Sequence, residues 1–241
     1  LTLNGLTIRG GGISINPGLL RLSAVGGATR RIGAGINEGG FDRNIYAGKI
    51  GIGRESKSYF DFLFVRTRDI PSKFHPLEPD SVIVPDSAQV GTKIQYEETP
   101  QENLVVGIST SLKLFADALT MNTEFNGSAY TRDMNSPELH VDNIPSFAGD
   151  IFTPRLSSSA DFASSTNIHL RLSRVTLKAG YRYVGPGYNS LGVASLISDL
   201  REYMWGTSVR FPSWSAGATV TRQNDNLLSQ KLHTTVRNAF G

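Results

Sequence analysis

The sequence predicts an all-β protein folded as an antiparallel up-and-down meander of about ten or eleven strands. Three observations predict this fold class. Apolar and polar residues alternate with a period of two over successive segments of about ten residues, helical periodicity is nearly absent, and every second connection between the segments is short. With 241 residues, the chain is long enough for one large all-β domain.

The predicted strands follow in order along the chain. The first covers about residues 3–15, and we expect a change of facing at residues 10–12, because a run of glycines can hold a β-bulge. The second covers residues 19–31 and places Leu20 on one face and Arg21 on the other, each with its alternate neighbours. The other nine cover about residues 44–54, 59–69, 103–115, 119–134, 158–173, 175–183, 201–211, 214–224 and 231–241.

The predicted connections alternate in length. Tight links lie at about residues 16–18, 55–58, 116–118, 173–174 and 212–213. Long, polar connections lie at about residues 32–43, 70–102, 135–157, 185–200 and 225–230. All eleven prolines fall in predicted links, which fits strands whose N–H groups are needed for the hydrogen-bond ladder. The meander is therefore expected to have two ends that face different environments.

The eighth predicted strand shows the alternation most clearly. From residue 175 the chain reads VTLKAGYRY, so Val175 and every second residue to Tyr183 share an apolar face, while the residues between them form a polar face. A soluble β-sandwich that buries its apolar face gives the same alternation. The alternation alone therefore does not identify what the apolar face contacts.

Further features favour lipid as the contact of the apolar face. The polar face is rich in glycine and serine, as a lumen would be, and the sixth predicted strand, of about fifteen residues, is long for a globular protein. Aromatic residues gather near strand ends on the apolar face, as at a membrane interface. This predicted aromatic girdle consists of Tyr181, Tyr183, Tyr203, Phe211 and Trp214. Short turns at one end and long loops at the other are typical of a transmembrane β-barrel with periplasmic turns.

The segment LKAGYRYVGPGYNSLG, residues 177–192, resembles a strand-and-loop passage of large, porin-like or transporter-like β-barrel proteins of the bacterial outer membrane. The resemblance is strongest over about residues 100–230 and implies a barrel surrounded by outer-membrane lipid, without catalytic residues. Single-chain bacterial barrels usually have an even number of strands, and the chain ends within a predicted strand. We therefore expect residues 1–241 to form a single barrel segment that is incomplete at one or both ends.

Composition argues against several classes of function. The net charge is +3, and the 24 Lys and Arg residues are scattered among 21 Asp and Glu residues, so we expect no nucleic-acid partner. The chain has no cysteine, its four histidines are far apart, and its glycine runs are not followed by a helix. The Asp and Asn residues at 42–44 and 222–226 are ordinary loop residues, although they offer oxygen ligands for calcium. We therefore expect no cofactor and no metal.

One charge pattern exceeds the background, a set of cations on the polar face within about three residues of a short turn. This predicted basic collar consists of Arg21, Lys113, Arg171, Lys178 and Arg210. Two interpretations remain open. The residues are solvated and paired with acids on neighbouring strands, or they form a ring at the periplasmic mouth, where Arg and Lys rings favour anions.

These patterns favour a non-enzymatic outer-membrane barrel that serves for passage or uptake of small polar or anionic solutes, or as a membrane scaffold. An alternative is a secreted, soluble β-sandwich or solenoid that acts as a carbohydrate-binding or adhesive module. A third hypothesis is a membrane-embedded hydrolase, because acids on the polar face can supply a catalytic pair of carboxylates. The acids concerned are Asp61, Glu124, Asp161 and Glu202.

Overall fold

The computed structural model describes residues 1–30, 40–75, 98–139 and 151–241. Within them, eleven strands form one antiparallel sheet in sequential order, which confirms the predicted all-β meander. The strands are β1 (Arg9–Ile15), β2 (Leu20–Arg30), β3 (Gly40–Gly53), β4 (Tyr59–His75), β5 (Glu102–Leu114), β6 (Leu119–Thr131), β7 (Ser158–Arg171), β8 (Val175–Val184), β9 (Leu200–Arg210), β10 (Ser215–Asn224) and β11 (Val236–Phe240). In this part of the chain β1 and β11 do not pair, so the sheet is not closed.

The first strand begins at Arg9, and the prediction that the preceding residues 3–8 are also strand is wrong. The backbone of Gly5 has a φ of +72°, which turns the chain out of the extended conformation. Residues 1–8 then contact the β8–β9 connection, where the N–H of Asn4 donates to the carbonyl oxygen of Gly192 at 3.0 Å.

The glycine run at residues 10–12 holds no bulge, contrary to the prediction. All seven residues of β1 pair with β2 in a continuous register. A Cβ atom on Gly10 would lie 2.0 Å from the carbonyl oxygen of Gly26, so the glycine permits a close approach of the two backbones. The register shift lies instead between Ala28 and Arg30, where β2 pairs with β3.

The fourth strand is longer than predicted and contains Pro71, so the prediction that every proline lies in a link is wrong for this residue. The register of β3 and β4 shifts between the pair Arg43 and Asp69 and the pair Phe41 and Phe74. Pro71 lies within this irregular stretch, where its missing N–H costs no regular ladder hydrogen bond.

The connections alternate in length as predicted. Short turns lie at residues 16–19, 54–58, 115–118, 172–174 and 211–214. Because neighbouring strands are antiparallel, these turns share one end of the sheet, here named the turn end, and the long connections share the other, the loop end. Residues 32–39, 76–97 and 140–150 of the predicted long connections lie outside the described residues. The last connection extends to Thr235, because β11 begins at Val236 rather than near residue 231.

The two faces of the sheet have opposite environments. On one, named the apolar face, Phe62, Phe125 and Trp205 are 45%, 46% and 52% exposed. On the other, named the polar face, Asp61 and Asn126 are 3% and 0% exposed. A soluble sheet normally buries its apolar side chains and exposes its polar ones, so this sheet has the reverse arrangement.

The buried apolar cluster lies on the polar face, at the loop end. It consists of Ile45, Val65, Val105, Ala163, Val184 and Tyr188. Five of these residues come from strands, and the register places Val65 opposite Val105 and Ala163 opposite Val184. Tyr188 comes from the β8–β9 connection, which covers them. The loop end of the polar face is therefore packed rather than open.

Candidate functional site

The predicted aromatic girdle is part of a larger aromatic cluster on the apolar face. Tyr181 and Tyr203 lie opposite each other on β8 and β9, and their ring centroids are 5.2 Å apart. Trp205 stacks on Tyr203 at 5.7 Å. On the other side of β8, Tyr183 stacks on Phe162 at 4.9 Å. The structure therefore brings Tyr181, Tyr183 and Tyr203 together with rings that sequence reasoning missed.

The missed aromatic residues are Phe125, Phe162 and Trp205. Phe125 stacks on Phe162 with a centroid distance of 5.7 Å, which extends the cluster to β6. Each of these residues falls on the apolar positions of its strand, and this alternation was the available signal. The contact of Phe125 with Phe162 became visible only with the register, because the two rings lie diagonally and the direct partner of Phe162 on β6 is Gly127.

The two remaining girdle residues lie at the turn end. Phe211 and Trp214 flank the β9–β10 turn, and their rings stack with centroids 4.5 Å apart. The guanidinium of Arg174, in the β7–β8 turn, lies 5.3 Å from the centroid of the Phe211 ring. Aromatic rings thus lie both toward the loop end and at the turn end.

Within the described strands, the charged residues of the apolar face lie toward the loop end. Between the two aromatic groups, the apolar positions of β7 and β8 hold Ile168, Leu170, Leu177 and Ala179, and they carry no Asp, Glu, Lys or Arg. At the loop end Arg66 donates from Nη2 to Oε1 of Glu102 at 2.8 Å. The charge of Arg66 is therefore neutralised by a partner on the next strand.

Arg21, the first residue of the predicted collar, is part of a buried ion pair. Its Nε donates to Oδ1 of Asp61 at 2.8 Å and its Nη2 to Oδ2 at 3.1 Å, a bidentate geometry. Nη2 also donates to Glu55 at 3.0 Å, and the guanidinium lies 4.4 Å from the centroid of the Tyr59 ring. A Cβ atom on Gly51 would lie 2.1 Å from Oδ1 of Asp61, so glycine leaves the space for this carboxylate. The charge of Arg21 is therefore offset by two acids.

The other four collar residues also lie on the polar face, in two arrangements. Lys113 donates from Nζ to the carbonyl oxygens of Glu55 and Ser56 at 3.1 and 3.2 Å, so it binds the β3–β4 turn. The remaining three are exposed and, within the described residues, form no ion pair. These three are Arg171, Lys178 and Arg210.

The β8–β9 connection, residues 185–199 and here named the inner loop, crosses the polar face. On β5, Asn103 donates from Nδ2 to the carbonyl oxygen of Asn189 at 3.1 Å and accepts at Oδ1 from the N–H of Leu191 at 3.0 Å. On β7, Asp161 accepts at Oδ2 from the N–H of Gly187 at 2.9 Å. The inner loop is thus anchored to the sheet by backbone and side-chain hydrogen bonds.

Apolar burial also holds the inner loop. Tyr188 is fully buried in the core cluster, and its hydroxyl donates to the carbonyl oxygen of Leu1 at 3.1 Å. Ser190 donates to the carbonyl oxygen of Thr2 at 2.9 Å. Burial raises the pKa of the Tyr188 hydroxyl, with a further contribution from the negative charge of Glu124. The loop end of the polar face is therefore closed by an ordered segment.

The last long connection is fixed by charge. Asp199 accepts from the N–H groups of Asn226 and Leu227 at 3.0 and 2.8 Å and pairs with the ammonium of Lys231. Burial acts to raise the pKa of Asp199, but the Lys231 ammonium and these N–H groups outweigh it, so the pKa lies below its ordinary value. The pKa of Lys231 is raised, chiefly by its hydrogen bond to Asp199.

The four acids of the hydrolase hypothesis lie on four different strands and have separate partners. Asp61 binds Arg21, and Asp161 binds backbone N–H groups of Phe162 and Gly187. Glu124 accepts from Nδ2 of Asn126 at 3.0 Å, and Glu202 accepts from Gln223. No hydrogen bond in the described part of the chain joins two of these acids into one network, and no cluster of three metal-binding side chains occurs there.

Comparison with models of known protein families gives no match to this chain, and comparison with curated proteins gives none either. No helix in the described residues has the length and apolarity needed to cross a membrane.

Proposed function

We propose that this chain forms part of the wall of a transmembrane β-barrel in the bacterial outer membrane, with the apolar face toward lipid and the polar face toward an aqueous lumen. The barrel is non-enzymatic and serves for passage or uptake of small polar or anionic solutes, or as a scaffold in the membrane. The observation that carries the proposal is the exposure of large apolar side chains over a whole face of the sheet.

The extent of this apolar surface is the first support. The largest apolar patch on a typical soluble monomer covers about 300–600 Å². Here the exposed apolar side chains extend over ten neighbouring strands. They include Ile13, Leu20, Ile50, Phe62, Val106, Phe125, Ile168, Leu177, Trp205 and Val220. Such a surface needs an apolar environment, and hydrocarbon supplies one without a protein partner.

The length of the strands is a second support. A tilted strand needs roughly 9–11 residues to cross the hydrocarbon core of a membrane. β5 and β6 have 13 residues each, and β8 and β10 have 10 each. Aromatic rings toward both strand ends and the absence of charge between them on β7 and β8 fit the interfaces and the interior of a bilayer.

The polar face limits what the proposed lumen can pass. The inner loop and residues 1–8 cover the loop end, so a solute must pass beside them. Because Arg21 is neutralised by Asp61 and Glu55, a preference for anions rests on the exposed cations. These are Arg171, Lys178 and Arg210.

The two tryptophans allow a direct test of the orientation of the apolar face. Trp205 lies midway along β9 and Trp214 lies in the β9–β10 turn. The variants Trp214→Phe and Trp205→Phe, each retaining one tryptophan, are reconstituted in lipids brominated at a deep or a shallow acyl carbon. We expect the deep bromine to quench Trp205 more strongly and the shallow bromine to quench Trp214 more strongly.

The same experiment separates the alternatives. A soluble sandwich would be recovered without detergent, and neither tryptophan would be quenched by brominated lipid. Equal quenching of Trp205 and Trp214 at both depths would mean that the strands do not cross the bilayer, and the proposal would then be abandoned.

A further inference from the structure

A cavity of about 500 Å³ lies on the polar face, between residues 2–3 and strands β1 to β4, and is here named the β1–β4 cavity. Its volume falls within the roughly 300–1,000 Å³ that small-molecule sites occupy. None of the five collar residues is among the described residues that line it. The residues that do were not grouped in the sequence analysis. This site does not depend on what the apolar face contacts, so it goes beyond the function proposed above.

The wall of the cavity is aliphatic. Val25, Ala47 and Val65 form one row across β2, β3 and β4, because each is paired directly with the next. Leu63 and Leu3 also belong to the apolar lining. Among the described residues that line the cavity there is no aromatic ring or carboxamide, the groups that usually recognise sugars or nucleobases.

The next row of side chains on the same face, two pairs closer to the turn end, is polar. It contains Ser14, Ser23 and Lys49, which are paired in that order across β1, β2 and β3. The two serine hydroxyls lie 2.8 Å apart and share a hydrogen bond. A cation and two hydroxyls therefore lie beside an aliphatic wall, an amphipathic arrangement on one side of the cavity.

Lys49 has hydrogen-bonding capacity to spare. Its ammonium lies 3.9 Å from Oδ2 of Asp61, which is too long for a hydrogen bond, and both oxygens of that carboxylate already accept from Arg21. Among the described residues, Lys49 donates no hydrogen bond to a protein group. Three ammonium donors are thus available to a ligand at the polar row.

We propose that the β1–β4 cavity binds the anion of a medium-chain aliphatic carboxylic acid. The carboxylate pairs with Lys49 and accepts from one serine hydroxyl, that of Ser14 or Ser23, whichever does not donate to the other, while the chain lies along Val25, Ala47 and Val65. One lysine balances the single charge of a carboxylate, whereas a phosphate carries up to two charges and three acceptor oxygens.

The test uses decanoate with a diazirine on its chain as a photoreactive probe, and the protein reconstituted in phosphatidylcholine nanodiscs. We expect the adducts, mapped by mass spectrometry, to concentrate on the strands that line the cavity. Unlabelled decanoate should compete, and decyltrimethylammonium, which has the same chain and the opposite charge, should not. Adducts spread evenly over the apolar face, or equal competition by both compounds, would overturn the proposal.

Variants resolve the role of the lysine. Lys49→Met should raise the apparent Kd of decanoate by about tenfold or more, the usual effect of losing a charge-assisted hydrogen bond. Competition by decanol, which has the same chain but no charge, should be unchanged. Lys49→Arg should retain binding. Lys178→Met removes an exposed cation from the same face outside the cavity and should have no effect. Equal effects of Lys49→Met and Lys178→Met would contradict the assignment.

A second variant keeps the test decisive if Lys49→Met fails to fold. Ala47→Leu fills the cavity without altering charge, and circular dichroism reports whether the sheet is retained. We expect the adducts on the cavity strands to disappear. Adducts at the level of the unmodified protein in folded Ala47→Leu would show that the probe binds elsewhere.

Discussion

Arg21 of β2 and Asp61 of β4 form a bidentate ion pair across the intervening strand β3, with Nε–Oδ1 and Nη2–Oδ2 distances of 2.8 and 3.1 Å. Both side chains are buried on the polar face, at 5% and 3% exposure. Removal of one partner from a buried pair leaves the other charge without compensation, which costs about 3–5 kcal/mol. This pair therefore joins three strands near the turn end.

The first prediction concerns that pair. Asp61→Asn should lower the free energy of unfolding by about 3–5 kcal/mol, because Arg21 remains buried without its counter-charge. Glu55→Gln is the matched control: the Glu55 side chain is 76% exposed, so we expect a change of at most about 1 kcal/mol. Reversible urea unfolding in lipid vesicles measures both values. Similar losses for the two variants would mean that the pair is solvated in the folded protein.

The second prediction compares the two faces at one depth. Ile168 on the apolar face of β7 lies opposite Met121, and the neighbouring residue Asn122 is exposed on the polar face. In the proposed membrane orientation, Ile168→Arg should cost about 2–4 kcal/mol, because a charge enters hydrocarbon near the midplane. Asn122→Arg, facing water, should cost about 0.5 kcal/mol or less. Urea titration of refolded protein measures both, and a larger loss for Asn122→Arg would reverse the proposed orientation.

The third prediction concerns ion selectivity in the complete protein. Three exposed cations of the polar face should raise the local concentration of anions, an effect that falls as salt shortens the screening length from about 10 Å at 0.1 M. The triple change of Arg171, Lys178 and Arg210 to Glu should therefore shift the reversal potential toward cation preference under a salt gradient in a planar bilayer. Arg54→Glu with Lys57→Glu, in an exposed turn, is the control and should shift it less. Cation preference in the unmodified protein would refute the role of these residues.

The fourth prediction concerns the inner loop. Tyr188 is fully buried, whereas Ile197 in the same loop is 66% exposed. Tyr188→Ala should leave a cavity and accelerate amide hydrogen exchange in residues 185–194 severalfold, because the local opening of the loop loses its apolar contact. Ile197→Ala should leave exchange nearly unchanged. If exchange in the loop is the same in both variants, the loop is held by its hydrogen bonds alone.

The fifth prediction is a pH dependence of the last connection. The folded pKa of Asp199 is lowered, so its contribution to docking of this segment is present above its ordinary pKa of about 4 and is lost as the pH falls through the folded value. The pKa of Lys231 is raised, so its contribution is present below its ordinary value of about 10.4 and is lost as the pH rises through the folded value.

Docking of residues 225–235 should therefore be constant from about pH 5 to pH 9 and weaken in acid. Amide exchange of the segment, corrected for its intrinsic pH dependence, measures this. In Asp199→Asn the acid transition should disappear and protection should be lower throughout. A transition near neutral pH would instead indicate a group other than Asp199 and would contradict the assignment.

Strand positions and facing were largely predictable from sequence because alternation is a local property. The eighth predicted strand, 175–183, agrees with β8 (Val175–Val184), and the faces of Leu20 and Arg21 on β2 agree as well. The errors lie where local pattern and tertiary contact disagree. Residues 3–8 were predicted as strand from a weak alternation, but Gly5 turns them toward the inner loop. The fourth strand was predicted to end before Pro71, but it continues past this residue through an irregular register.

The composition of the candidate sites was less predictable, because their members are distant in sequence. Asp61 lies 40 residues from Arg21, and the sequence gives no signal that the two side chains form a buried ion pair. The collar was identified as a set, but only the structure separates the neutralised Arg21 and the turn-binding Lys113 from the exposed members. The tyrosines of the girdle were identified, whereas the stacking of Phe162 on Tyr183 required the register.

The amino-acid pattern was sufficient to predict a β-meander with one apolar face, one polar face and unequal ends, because the period of two and the turn residues act over a few positions. Only the tertiary structure showed which residues of neighbouring strands are paired in the register of the sheet. It also showed that the inner loop covers the polar face and that Lys49 lies beside an aliphatic cavity. These features depend on register and on loop packing, in which residues far apart in the chain compete for the same space.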